Sequence, residues 1–337
     1  MNHVWRRSER TAVLLFAFLS LVATAQGTEL EKFTLGQSSV GPGGTGFWMA
    51  KEIGSFEKYG LQTDLVFISS GPVVVQALIG GDLHGGLAAT NSVITAVLAG
   101  APLVAVMSLQ NRPYHRLWVH PEITRLEDLR GKTLGVTRFG SVTDNLTKIL
   151  LRKNGLEGTV AVRQLGGTTE VSAAFKQRQI AGAVISILRV DAPMRMLVDL
   201  AEMDIRYSNV VVAVSRDFYR RSSAQIEAVV RAYSEGLAAI HNQKDRAFRV
   251  IAKHTRLTDR KFIDEIYNDA TKSLDRVPRV EPEAIAPIVE SMGKGPIAIE
   301  TIADNSIVDR LVHEGFFEKL YKSSEAQGTY KHTKDVK

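Results

Sequence analysis

The 337-residue chain contains no cysteine. That excludes a disulfide framework, a thiol nucleophile, cysteine metal ligands and a lipid anchor on an N-terminal cysteine. The signatures of common catalytic machineries are missing too: there is no H-E-x-x-H, no G-x-S-x-G and no G-x-x-x-x-G-K-[ST]. The eight histidines are scattered, and His84, in the turn Gly81-Asp82-Leu83-His84, reads as a loop residue rather than a base. Nothing in the sequence asks for a metal or a cofactor. Blocks of like charge are absent as well. The net charge of +6 comes from Lys and Arg dispersed among Asp and Glu, which argues against a nucleic-acid surface. Only one long apolar run exists, and it is N-terminal.

That run has the grammar of a secretory signal. Arg6, Arg7 and Arg10 precede the apolar stretch over 12–22, and the small residues Ala23 and Ala25 follow. The stretch falls short of the ~20 residues needed to span a bilayer. Residues 1–25 are therefore expected to be a cleaved signal, with a mature chain that begins at Gln26, works outside the cytoplasm and carries a net charge of +4. The balance of 45% hydrophobic and 23% charged residues suits a sizeable globular core.

From residue 33 onward, β-rich runs alternate with helical ones. Strands are expected over 33–39, 62–68, 86–89 and 103–107, with helices over 45–53, 55–59, 72–79 and 92–98. This rhythm means βαβ units and a mostly parallel sheet. It breaks at Asn111-Arg112-Pro113. A strand over 114–119 then opens a second α/β series, with strands over 133–136, 160–165 and 182–187 and helices over 126–129, 142–153 and 169–177. A strand over 209–214 is the last, and the rest is helical. Ser222 to Gln225 fits a capping box, Thr258 fits a second cap, and Pro282 and Ile307 begin further helices. The simplest architecture is a two-lobed α/β protein with the second series inserted into the first. Lobe 1 comprises 26–113 and 209–337, lobe 2 comprises 114–208, and the strands near 114–119 and 209–214 join them.

Such a layout puts a cleft between the lobes, at the carboxyl ends of the strands. Ligands of open α/β sheets bind there, where helix N-termini offer unpaired N–H groups. Ser, Thr, Asn and Gly are also ordinary caps and turn formers, so no single turn is diagnostic. Six such turns facing one cleft point to a small-molecule site. The candidates are Ser39, Gly71, Thr90, Asn91 and Gln110 from the first lobe and Gly140, Ser141, Thr143 and Thr168 from the second, with Arg138 placed to pair with an anionic ligand. Gly41-Pro42-Gly43-Gly44-Thr45-Gly46 matches G-x-G-x-x-G, but no acid closes the second strand as a dinucleotide site requires. It reads as a flexible, ligand-contacting turn. The sequon Asn145-Leu146-Thr147 lies inside an expected helix.

Several segments resemble one family. The stretch from Phe47 to Leu61 carries Ala50-Lys51-Glu52-Ile53-Gly54-Ser55-Phe56-Glu57-Lys58-Tyr59-Gly60-Leu61, similar to A-K-E-x-G-x-F-x-K-x-G-L. Ala77-Leu78-Ile79-Gly80-Gly81-Asp82 resembles A-L-x-x-G-D, and Asp128-Leu129-Arg130-Gly131-Lys132-Thr133-Leu134-Gly135-Val136 resembles D-L-x-G-K-x-x-G-V. The segment from Thr168 to Ala183 follows in order. These resemble the periplasmic substrate-binding proteins of ABC importers in the nitrate/sulfonate/taurine family, which also includes binders of thiamine-pyrimidine precursors. The departures are His84, where the family often has an acid, and Ser186-Ile187-Leu188-Arg189, which replaces a proline-containing stretch. The resemblance implies a type II periplasmic binding fold, closing by a two-strand hinge on a small, anionic or polar organic ligand. It also implies a monomer that delivers this ligand to a membrane permease and its ATPase. The alternatives are a pyrimidine-synthase-like enzyme of the same fold and a ligand-sensing subunit of a membrane receptor.

Overall fold

The computed structural model describes residues 29–38, 40–68, 70–186, 188, 190–203 and 206–326. The expected signal over 1–25 lies outside them. Two five-stranded sheets organise the described chain. The first contains β1 (Glu31–Gln37), β2 (Leu61–Phe67), β3 (Gly85–Ala89), β4 (Leu103–Ser108) and β10 (Val210–Ser215), in the order β2-β1-β3-β10-β4. The second contains β5 (Arg116–Val119), β6 (Thr133–Val136), β7 (Ala161–Gln164), β8 (Gly182–Ile185) and β9 (Arg195–Asp199), in the order β7-β6-β8-β5-β9.

Each sheet is mostly parallel, as expected, with four of its five strands running the same way and one against them. The βαβ units pair in parallel, β1 with β2 and β3, and β6 with β7 and β8. The strand at each crossing runs the other way: β10 lies antiparallel between β3 and β4, and β5 between β8 and β9. The reason is topological, since a strand arriving from the opposite sheet enters from the far end.

Helices cover both sheets. They are α1 (Thr45–Glu52), α2 (Ser55–Lys58), α3 (Gly71–Gly80), α4 (Thr90–Leu98), α5 (Val142–Lys153) and α6 (Thr168–Lys176). After β10 come α7 (Arg216–Arg221), α8 (Ser223–Asn242), α9 (Lys244–Thr255), α10 (Arg260–Ser273), α11 (Pro282–Ser291), α12 (Ile299–Ile302), α13 (Ser306–His313) and α14 (Phe316–Ala326). β9, α7, α9 and α14 were not legible beforehand. Two expected caps are also different. Ser222 precedes α8 without a side-chain cap, and α10 is capped by Asp259, whose carboxylate accepts from Lys261 N, rather than by Thr258.

The glycine-rich segment 41–46 is wholly buried and serves packing, which corrects the expectation of a flexible ligand-contacting turn. Residues Pro42–Gly44 form a 3₁₀ turn that leads into α1. There Gly46 meets Gly236 of α8 so closely that a Cβ on Gly236 would lie 2.1 Å from Gly46 O. Backbone cannot yield as a side chain can. Gly236→Ala is expected to destabilise the fold by about 1–3 kcal/mol, read as a lower urea midpoint; an unchanged midpoint would show that the two helices can separate at no cost.

One apolar core lies under the first sheet around Phe33, Trp48, Leu87 and Tyr233. A second runs continuously from Val74 and Ile94 through Leu134 and Leu146 to Ile285, so α11 is wedged between α4 and α5. His84 is a structural residue: its Nδ1 accepts from Thr34 N at 2.9 Å and its ring stacks on Phe33. Asn145 is buried, donating to Ser291 Oγ and accepting from Tyr207 O–H, so its sequon is closed to glycosylation.

Candidate functional site

The chain passes between the sheets twice, with residues 109–115 in one passage and 200–203 and 206–209 in the other. The two passages are tied side by side by backbone bonds, Leu109 N to Val210 O, Asn209 N to Gln110 O, Tyr207 N to Asn111 O and Leu200 N to His115 O. Beside them, between the carboxyl ends of the parallel strands, lies a cavity of about 200 Å³. Its first wall is built from the ends of β1, β2 and β3 and from Ser70 and Gly71 at the start of α3; its second, from Thr137, Ser141 and Thr143 around the start of α5 and from 167–170 at the start of α6. Tyr114, His115, Ile185 and Ser186 close the floor. Three helices of eight or more residues thus begin at one partly open cavity, each with unpaired N–H groups and the positive end of its dipole. A larger groove of about 950 Å³ opens between Trp118 and α10, but it is shallow and no strand ends in it.

Of the expected residues, the cavity brings together Gly71, Ser141, Thr143 and Thr168. Ser39 lies outside the described residues. The others do not line it. Thr90 is fully buried with its hydroxyl on Ser208 Oγ at 2.9 Å. Gln110 is fully buried and donates to Ser273 Oγ. Arg138 is half-buried on the turn before α5, with Nε lacking a partner, and does not line the cavity. Asn91 spans the gap between the two halves: its amide donates to Gly140 O at 3.1 Å and to Ser141 O at 3.0 Å. Ser92 Oγ donates to the same Gly140 oxygen at 2.5 Å. Gly140 presents that oxygen because its φ of +75° turns the chain in a way that favours glycine. Asn91, Ser92 and Gly140 form a latch between the halves.

Ser141 has two roles. Its hydroxyl caps α5 by accepting from Asp144 N, and it joins Thr137 and Thr143 in a closed ring of hydroxyls at 2.8–3.0 Å. The cap makes Ser141 part of the unliganded fold, so its removal is expected to cost about 1 kcal/mol even without ligand.

Residues missed by the sequence reading are Ser70, Tyr114, His115, Glu170 and Ser186. The signal existed for three of them: Ser70 stands in the same turn as Gly71, and Tyr114-His115 follow the break in rhythm at Pro113. Burial, reinforced by the charge of Arg116, pushes the His115 imidazole down to about 3, so it is neutral at physiological pH. Tyr114 is fully buried beside it, with ring centroids 4.6 Å apart, and burial pushes its phenol up. Two polar atoms of cavity-lining residues, Ser70 Oγ and His115 Nδ1, are sealed from water without a hydrogen-bond partner. Each such orphan costs about 1–3 kcal/mol. Among the described residues, no group of three His, Asp or Glu could hold a metal, and no helix is long and apolar enough to cross a membrane.

Residues 42–247 match the family described as NMT1/THI5 like. A protein of Brucella abortus, named only as a candidate binding protein, is 33% identical over 138 residues. The match spans 41% of this chain and 42% of that protein, less than half of either. The periplasmic aliphatic sulphonate binding protein SsuA of Escherichia coli superposes with a TM-score of 0.65 at 21% identity, covering 85% of this chain and 94% of that one. The periplasmic nitrate-binding protein NrtA of Synechocystis does so with a TM-score of 0.62 at 12% identity, over 88% and 89%. At these identities the likeness is one of fold, the two-sheet fold of the periplasmic binding proteins.

Proposed function

Because the chain belongs to the NMT1/THI5-like family, we propose that it is a solute-binding protein. It takes a small polar or anionic organic molecule into the cleft and hands it to an ABC permease driven by an ATPase. The observation that carries this reading is the partly open cavity where α3, α5 and α6 begin, flanked by two hydrogen-bonded crossings about which the halves can close. Helix N-termini bind anions without a dedicated cation, which suits reversible capture better than chemistry. The names of SsuA and NrtA, a sulphonate and a nitrate binder, support transport over catalysis. The same reading makes the protein a periplasmic monomer beginning at Gln26, with lobes over 26–113 plus 209–337 and over 114–208.

Calorimetry on the purified mature chain with nitrate, alkanesulfonates, pyrimidines and aromatic carboxylates tests it, and saturable 1:1 binding of one of them is expected. Thr168 is the mutational probe, because it lines the cavity, stands at the first position of α6 and caps nothing. Thr168→Val should weaken the bound solute by about 0.5–1.5 kcal/mol while the unliganded melting temperature stays put. Loss of neither affinity nor stability would remove Thr168 from the site. Absence of binding across the panel would sink the solute-binding reading.

A further inference from the structure

The three helix starts around the cavity differ in charge. α3 has no acid in its first turn, so the positive end of its dipole stands uncompensated. α5 has Asp144 there, but that carboxylate accepts from Gly140 N at 2.9 Å and is paired with Lys148 at 2.8 Å, which neutralises it within the turn. α6 has Glu170 in its first turn, and this carboxylate has neither an ion pair nor a hydrogen bond among the described residues. A helix start amounts to roughly half a positive charge, so one unpaired carboxylate reverses the sign at α6.

The glycines before α6 locate that carboxylate. A Cβ on Gly167 would lie 2.7 Å from Glu170 Oε2, and one on Gly166 would lie 3.9 Å from the carboxyl carbon. The side chain therefore folds back over the turn that leads into the helix instead of pointing away along it. Gly167, Thr168 and Thr169 of that turn line the cavity, as does Glu170 itself, which is exposed. No other described residue of the lining carries a formal charge at neutral pH. His115 is neutral, its imidazole held down at about 3, and the rest are apolar, hydroxyl-bearing or glycine. The cavity thus has a positive pole at α3 and α5 and a negative one at α6.

A simple anion gains at the first pole and is repelled by the second, with no cationic side chain in the described lining to offset Glu170. A cationic nitrogen offers Glu170 the charge-assisted bond that it lacks. Resting on the solute-binding reading, we propose that Glu170 sets the specificity of the cleft. It selects a small dipolar solute, with a cationic nitrogen at the start of α6 and an acidic group at the starts of α3 and α5.

The test is calorimetry on the mature protein at pH 7 with pairs of probes that differ only in the amine: 4-aminobutanoate against butanoate, 4-(aminomethyl)benzoate against 4-methylbenzoate, and 3-aminopropane-1-sulfonate against propane-1-sulfonate. In at least one pair the amine-bearing member is expected to bind roughly 10- to 100-fold more tightly. Glu170→Gln keeps the shape of the side chain and should abolish that preference, weakening the amine-bearing member by the same factor while the other is bound as well or better. Glu170→Lys should invert the preference. An acid that only complements the helix dipole would, on replacement, lower the unliganded melting temperature and leave the ratio within each pair unchanged. An unchanged ratio in both variants, or amine-lacking members bound as tightly as their partners by wild type, overturns the proposal and leaves the solute-binding reading intact. Failure of every amine-bearing probe to bind overturns it too, and the broader panel then decides the solute-binding reading separately.

Discussion

Arg116→Ala is expected to destabilise the protein by on the order of 3 kcal/mol or more. The guanidinium, in β5, grips Asp269 of α10 through two parallel bonds at 2.8 and 3.0 Å and reaches Asp199 of β9 at 3.3 Å. The side chains are 18%, 7% and 17% exposed. Removing the cation leaves the Asp269 carboxylate buried beside Asp199 with no counter-charge, and that desolvation penalty sets the magnitude. Arg116→Lys keeps the charge but loses the two-pronged geometry, so an intermediate loss is expected. Urea unfolding of the three proteins measures the series; an alanine variant within about 1 kcal/mol of wild type, the size typical of a surface pair, would show that water compensates for the arginine. The pair joins the second sheet to the C-terminal helices, so the alanine variant should also scatter X-rays as a more open particle.

Acid is the second large perturbation. Burial holds His115 down at about 3 and, with a smaller contribution from Arg276, holds His241 down at about 4. As pH falls below 6.5 the unfolded chain protonates these imidazoles while the folded chain does not, so stability drains away from pH 6.5 towards 3. Asp275 works against this. Burial raises its carboxyl to about 6, so the folded chain takes up that proton first and gains stability between pH 6 and 3.8. Two imidazoles outweigh one carboxyl, leaving a net loss on the order of 4 kcal/mol between pH 7 and 4. Denaturant titrations at both pH values check it. The double variant His115→Gln, His241→Gln should flatten or reverse the slope; a wild type equally stable at pH 4 and 7 would mean that water reaches both rings.

Much of the architecture was local enough to read in order. Strand and helix periodicity belongs to neighbours a few residues apart, so both α/β series and the break at Pro113 were legible. So were turns such as Gly71 and Ser141 to Thr143, because residues that begin helices at strand ends are the same in any parallel sheet. The expectation of an export signal likewise rests on residues 1–25 alone, independent of how the rest folds.

What remained hidden depends on partners far apart in the chain. Asn91 and Gln110 had the right chemistry for ligand contacts. Only the approach of Gly140 and Ser273, 49 and 163 residues away, decided that their amides would latch the halves and brace the crossing. The glycines at 41–46 satisfied a ligand-binding pattern, yet the close crossing of α1 and α8 at Gly46 and Gly236 accounts for the smallness of Gly46. His115 shows the division most clearly. Its position after the rhythm break was visible, but its neutrality and unpartnered nitrogen come from burial, and burial is decided by the tertiary packing around Tyr114, Arg116 and the opposite wall.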